Sequence, residues 1–143
     1  MKLIPFRAAH VDLFTPRWPG SVEGGANPDS LLAGETSGPA WTLIVDGRVI
    51  GCGGVMLLWP GVGEGWMLPG TDTHRHKLTL HRTVGRQIVE LQDHERLRRL
   101  QTIVNVNYPE SARWLSRLGF ENEGLMKRFG VNGDDYWRLA RVV

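Results

Sequence analysis

The sequence predicts a mixed α/β domain with helices packed on a central sheet. Three observations carry this. Apolar, strand-like runs alternate with amphipathic segments in the order β, α, loop, β, β, β, α, β, α, β, β. Asp46-Gly47 and Asn132-Gly133 each sit between β-rich runs, the strongest short-range signal for a hairpin. Leu80, Val84, Ile88 and Leu91 recur at helical spacing and make one apolar face.

Taken in order, residues 2–6 form a short first strand, with Pro5 tolerable at an edge. Residues 7–14 carry a weak helical pattern. Thr15 to Pro39 is rich in Gly, Pro, Ser and Asn and reads as a loop, with a helical turn around Asp29 to Ala33. A loop of that length is often functional and could cover a substrate site. Trp41–Val45 and Val49–Leu58 form a hairpin, in which Gly51, Gly53 and Gly54 suggest a bulge or close backbone approach. Trp59-Pro60-Gly61 turns the chain into a strand over Glu64–Leu68. Thr71, Asp72 and Thr73 are each N-cap candidates for the helix that follows. Leu100 to Val106 reads as a buried strand. Pro109 opens a helix with Ala112, Leu115 and Leu118 inward, and Gly119 is its C-cap. Phe120–Phe129 and Tyr136–Val142 make the last hairpin.

At 143 residues the chain reads as one domain, residues 1–143, long enough to bury a core. No run approaches the ~20 apolar residues that span a bilayer, and the apolar start is too short for a signal peptide. The single cysteine, Cys52, rules out an internal disulfide framework and fits a reducing cytoplasm. It lies in an apolar run, where a thiol is usually inert packing. The formal net charge of +2 argues against nucleic acid. Locally, however, His74, Arg75, His76, Lys77, His81, Arg82 and Arg86 crowd one stretch, and Arg96, Arg98 and Arg99 another, which points to a small anionic ligand. His74, His76 and His81 match none of the common zinc spacings, and no metal is expected. Six tryptophans are scattered without a stacking motif; most suit a core or interface, and a surface subset would mark a partner site.

Chemistry concentrates toward the C-terminus. An apolar run ends in Asn105-Val106-Asn107, Pro109 starts a short helix, Leu118-Gly119-Phe120 closes it, and a hairpin around Asn132-Gly133-Asp134 ends the chain. This order resembles the C-terminal half of the GNAT family of N-acyltransferases. The resemblance covers about residues 40–143 in order of elements and is loose before that. It implies a mostly antiparallel central sheet of six to seven strands flanked by helices, with acetyl-CoA as acyl donor. The acceptor would be a primary amine, on a protein, a peptide or a small molecule. Read by itself, the terminal hairpin offers an edge for a homodimer.

In that family the amino end of a helix after the fourth strand binds pyrophosphate, because free N–H groups and the helix dipole favour an anion. The loop usually reads Gln/Arg-x-x-Gly-x-Gly/Ala. Here the matching stretch is Arg75-His76-Lys77-Leu78-Thr79-Leu80, with leucines where the glycines stand. An alternative register, Arg82 to Gln87, recovers Gly85 but shortens the helix. Arg75, His76 and Lys77 could replace lost backbone approach with charge. Asn107 and Ser111 match the family's Asn-x-x-x-Ser element, which reaches the pantetheine arm. Glu64-Gly65-Trp66 resembles the family's Glu-x-Gly-aromatic, making Glu64 the candidate base. Met67 and Leu68 would then supply backbone contacts to the pantetheine and the oxyanion. Relatives often place an acidic tyrosine where Leu115 stands, which leaves Tyr108 and Ser111 as candidate acids. The alternative reading is a GNAT fold that has lost catalysis and serves as an interaction or assembly module, as compact, glycine-poor versions encoded by bacteriophages resemble.

Overall fold

The computed structural model describes residues 1–17 and 28–143, and the side chains among these except at residues 28–31. Seven strands form one sheet: β1 (Lys2–Pro5), β2 (Ala40–Val45), β3 (Arg48–Trp59), β4 (Val62–Pro69), β5 (Arg99–Asn105), β6 (Glu121–Met126) and β7 (Tyr136–Val142). Their spatial order is β1-β2-β3-β4-β5-β7-β6. Every neighbouring pair is antiparallel except β4 and β5. Three α-helices accompany the sheet: α1 (Pro28–Thr36), α2 (Lys77–His94) and α3 (Pro109–Arg117). No helix among the described residues is long and apolar enough to cross a membrane.

Local chemistry explains most elements. Asp46 and Gly47 both take positive φ, as a type I′ turn demands, and join β2 to β3. The register of this pair slips at Leu43/Ile44, next to Gly51. A Cβ on Gly51 would lie 2.8 Å from the Leu68 carbonyl oxygen, and one on Gly53 2.9 Å from that of Trp66, so bulge and close approach are both present. Gly119 at φ 89° ends α3: its N–H reaches Ser116 O, and the Phe120 N–H reaches Leu115 O at 3.1 Å, a Schellman closure. The end of α2 uses the same pair of bonds, Arg96 N–H to Asp93 O and Leu97 N–H to Gln92 O, but with Arg96 in the left-handed region at φ 53°.

Several boundaries differ from expectation. Thr71, Asp72 and Thr73 do not cap α2; they lie in a 3₁₀ helix, Thr71–His76, that runs directly into it. The Thr73 hydroxyl is spent on Gly70 O within that turn. The helical pattern of residues 7–14 is a 3₁₀ helix over Ala8–Leu13. The turn near Asp29 is the longer α1, which opens on Pro28. The strand expected to reach Phe129 stops at Met126, because the Arg128 N–H bonds Asp135 Oδ1 and Arg128 itself turns left-handed. Residues 18–27 of the expected loop, Trp18 among them, lie outside the described residues.

The core lies on both faces of the sheet. On one face α2 and α3 cover Val55, Leu91, Leu97, Leu100, Val104, Phe120 and Leu139, and a neighbouring group of Leu43, Ile50 and Leu80. The opposite face carries Phe6, Cys52 and Leu68 beneath the N-terminal segment. Trp41, Trp66, Trp114 and Trp137 pack against these groups, whereas Trp59 is 58% exposed.

Candidate active site

The parallel seam between β4 and β5 is short. Val62, Gly63 and Glu64 pair with Arg99, Leu100 and Gln101, and no register pair follows. A last stitch joins the Thr102 hydroxyl to Gly65 O at 2.9 Å. Beyond it the two strands part, β4 staying with β3 as far as Pro69 and β5 with β7 as far as Asn105. The strands therefore enclose a split lined by backbone that the sheet does not use.

Strand alternation decides which backbone faces that split. The Arg99 N–H reaches Gly61 O, so odd-numbered residues of β4 turn their peptide groups toward β5. Trp66 O and Leu68 O instead lie against Gly53 and Gly51 of β3. Of the two residues expected to offer backbone contacts, Met67 thus faces its peptide groups into the split and Leu68 turns away. The Leu68 side chain is buried with Phe6 and Cys52.

At the apex of the split stands Glu64. Its carboxylate accepts two bonds from Arg138 Nη1, at 2.7 and 2.8 Å, and one from Gln101 Nε2 at 2.6 Å. Arg138 is on β7, opposite Ile103, and reaches across β5 to make this contact. The network continues from Gln101 to Arg99, which also pairs with Glu123. Arg99 holds the Glu123 carboxyl below its ordinary range through that hydrogen bond. Arg99 entered the sequence reading only as part of a basic cluster, and Gln101 and Arg138 were not singled out; the alternation of polar residues in β5 and β7 is the signal that could have found them.

The start of α2 is the second part of the site. Arg75, Lys77, Leu78 and Thr79 are exposed and His76 is half-buried, so the cationic side chains face solvent. Asp72 lies 4.0 Å from Arg75. Leu78 is 62% exposed, whereas Leu80 is buried with Leu43 and Ile50. One leucine at the expected glycine positions is thus part of the core and the other lies open at the helix start. Gly85 belongs to the packing of α2, where an added Cβ would meet Leu118 at 3.4 Å.

The third part is the turn from β5 into α3. Asn107 is exposed, and its N–H is held by Asn105 Oδ1 at 2.9 Å. Asn105 itself is buried and donates to Asp134 Oδ2 in the last loop. It is the anchor of this turn, and its place at a strand end hid that role. Tyr108 and Ser111 are half-buried at the beginning of α3, with the Ser111 N–H on Tyr108 O. Leu115 packs into the core. Among the described residues no three His, Cys, Asp or Glu side chains gather around a cation position.

This fold is that of the GNAT N-acetyltransferases. A ribosomal-protein-alanine N-acetyltransferase from Brucella melitensis superposes with a TM-score of 0.75 at 13% identity, over 100% of both chains. A mutant spermidine N-acetyltransferase from Vibrio cholerae gives 0.72 at 13% identity, covering 99% of this chain and 95% of that one. A GNAT family acetyltransferase from Elizabethkingia anophelis, with acetyl-CoA bound, gives 0.71 at 15% identity over 99% and 97%. No family model and no curated protein sequence matches the chain.

Proposed function

We propose that this chain is an acetyl-CoA-dependent N-acetyltransferase acting on a primary amine. The observation that carries the reading is the split between β4 and β5, with the Met67 peptide groups turned into it and Glu64 at its apex. An extended thioester arm fits a slot that offers unpaired strand backbone on both sides. The fold is shared with a protein that holds acetyl-CoA, and with others named for amine acetylation.

The residues would divide the work as follows. Arg75, His76 and Lys77 meet the donor's phosphates, in place of the glycine approach that Leu78 and Leu80 do not offer. Thr79 lies in the same first turn of α2. Asn107 and Ser111 flank the arm from the α3 side. Glu64 takes the amine proton, directly or through water, and the amine attacks the thioester carbonyl. The Met67 N–H faces the oxyanion of the tetrahedral intermediate. As the C–S bond breaks, Tyr108 or Ser111 returns a proton to the thiolate. Calorimetric titration of acetyl-CoA tests this, with ATP as anion control. Micromolar binding weakened by Arg75→Ala or Lys77→Ala supports it, and no binding to folded protein sinks it.

One observation favours the alternative of a binding module without catalysis. Leu57, Leu58 and Trp59 end β3 as consecutive exposed apolar side chains, a patch suited to a partner. That reading predicts no acetyl-CoA binding.

A further inference from the structure

On the sheet face that bears Glu64, the carboxylates nearest the split are paired: Glu64 with Arg138, Glu123 with Arg99, and Glu35 of α1 with Arg7. One donor group there is only partly used. Arg138 uses only Nη1 on Glu64; its Nε and Nη2 make no hydrogen bond among the described residues. Those two N–H groups form the guanidinium edge whose spacing matches a carboxylate. The Arg138 side chain is 24% exposed, so the edge is largely withdrawn from water yet reachable. Two residues beyond Glu64 on the same strand face, the Trp66 indole N–H is buried without a partner among the described residues. The open edge of Arg138 calls for a ligand that brings acceptors.

Register places this edge where an acceptor must sit. Arg138 is opposite Ile103, which is two residues past Gln101, so its guanidinium lies over the point where β4 and β5 part. We propose that the acceptor is an amine bearing a carboxylate on a neighbouring carbon, an amino acid or a close analogue. Arg138 holds that carboxylate through Nε and Nη2 while Nη1 keeps Glu64 aimed at the adjacent amine. One cation then fixes base and substrate together, and a polyamine, all cation, is repelled from the same place. This rests on the acetyltransferase reading and narrows it to a substrate class.

The test has two arms. In the first, the Arg138 Nε–H resonance of the whole protein is followed while free amino acids, then their carboxamides, are added without acetyl-CoA. A shift with the acids alone is expected; equal response to the carboxamides, or none to the acids, overturns the proposal. In the second, acetyl transfer is compared between each amino acid, its carboxamide and spermidine. Unprotected acids should be preferred by about a hundredfold in kcat/KM, because a site built around a buried polar contact rejects a ligand that leaves it unpaired. Arg138→Gln should erase the preference by raising KM for the acids alone, while kcat falls for acids and carboxamides alike as Glu64 loses its hold. Spermidine or carboxamides matching the acids in the unaltered protein would sink it without any variant. Binding of acids with no acetyl-CoA binding would support the carboxylate site and refute the acetyltransferase reading, so the two failures are distinct.

Discussion

Arg138 on β7 grips Glu64 on β4 across an intervening strand, with Nη1 2.7 Å from Oε1 and 2.8 Å from Oε2. The side chains are only 24% and 20% exposed, so solvent screens the pair less than a surface bridge. Glu64→Gln keeps the shape but removes the charge that faces Arg138. It should lower stability by about 1–3 kcal/mol, the cost of leaving a withdrawn charged group without its partner. Urea denaturation of Glu64→Gln, Arg138→Gln and the double variant measures this. The double variant should lose less than the sum of the singles.

Arg96 sits at φ 53° in the closure of α2, in the role that Gly119 fills for α3. A non-glycine side chain in the left-handed region costs ~1–2 kcal/mol, part of which returns as reduced freedom of the unfolded chain. Arg96→Gly should therefore stabilise the protein by about 0.5–1 kcal/mol. A rise in the urea midpoint with unchanged slope checks it.

Cys52 is fully buried, and desolvation pushes its thiol up to about 12 from an ordinary 9.0. The folded thiol holds its proton where the unfolded one has lost it. The stabilisation is complete below pH 9 and is lost as pH rises from 9 toward 12. A thiol reagent at pH 8 should modify Cys52 only at the rate of unfolding. Rapid labelling of native protein would contradict its burial.

Leu78 stands open at the beginning of α2, at a position where the loop pattern of the resemblance expects a glycine. If its side chain obstructs the donor, Leu78→Gly tightens acetyl-CoA binding in calorimetry, at a helix cost of up to ~1 kcal/mol. Unchanged affinity would show that the donor's phosphates rest on Arg75 and Lys77 and pass Leu78 by.

The sequence made the fold legible wherever local chemistry decides it. Asp46-Gly47 could only turn, Pro109 and Gly119 bracketed α3, and the spacing of Leu80 through Leu91 described a helix that must bury that side. What stayed hidden was non-local. Arg138 meets Glu64 because β7 is inserted beside β5, a choice of strand order that no short motif records. Thr71 to Thr73 looked like caps because each has the right side chain, but the 3₁₀ turn before α2 used them first. Asn105 and Asn107 have the same chemistry, and only burial tells the anchor from the exposed neighbour.

The brevity of the β4–β5 seam has a mechanical consequence. Three paired residues, one threonine hydroxyl and the bonds of Glu64 to Gln101 and Arg138 join a four-stranded half-sheet to a three-stranded one, so along the sheet the halves meet as leaves on a short hinge. Any extended chain lying in the split becomes an eighth strand, bonded to both leaves. Its arrival should slow amide exchange on Met67 and on Ile103 together, because one guest closes both edges. The substrate would then be a temporary piece of the sheet, and the rigidity of the protein would rise and fall with each turnover.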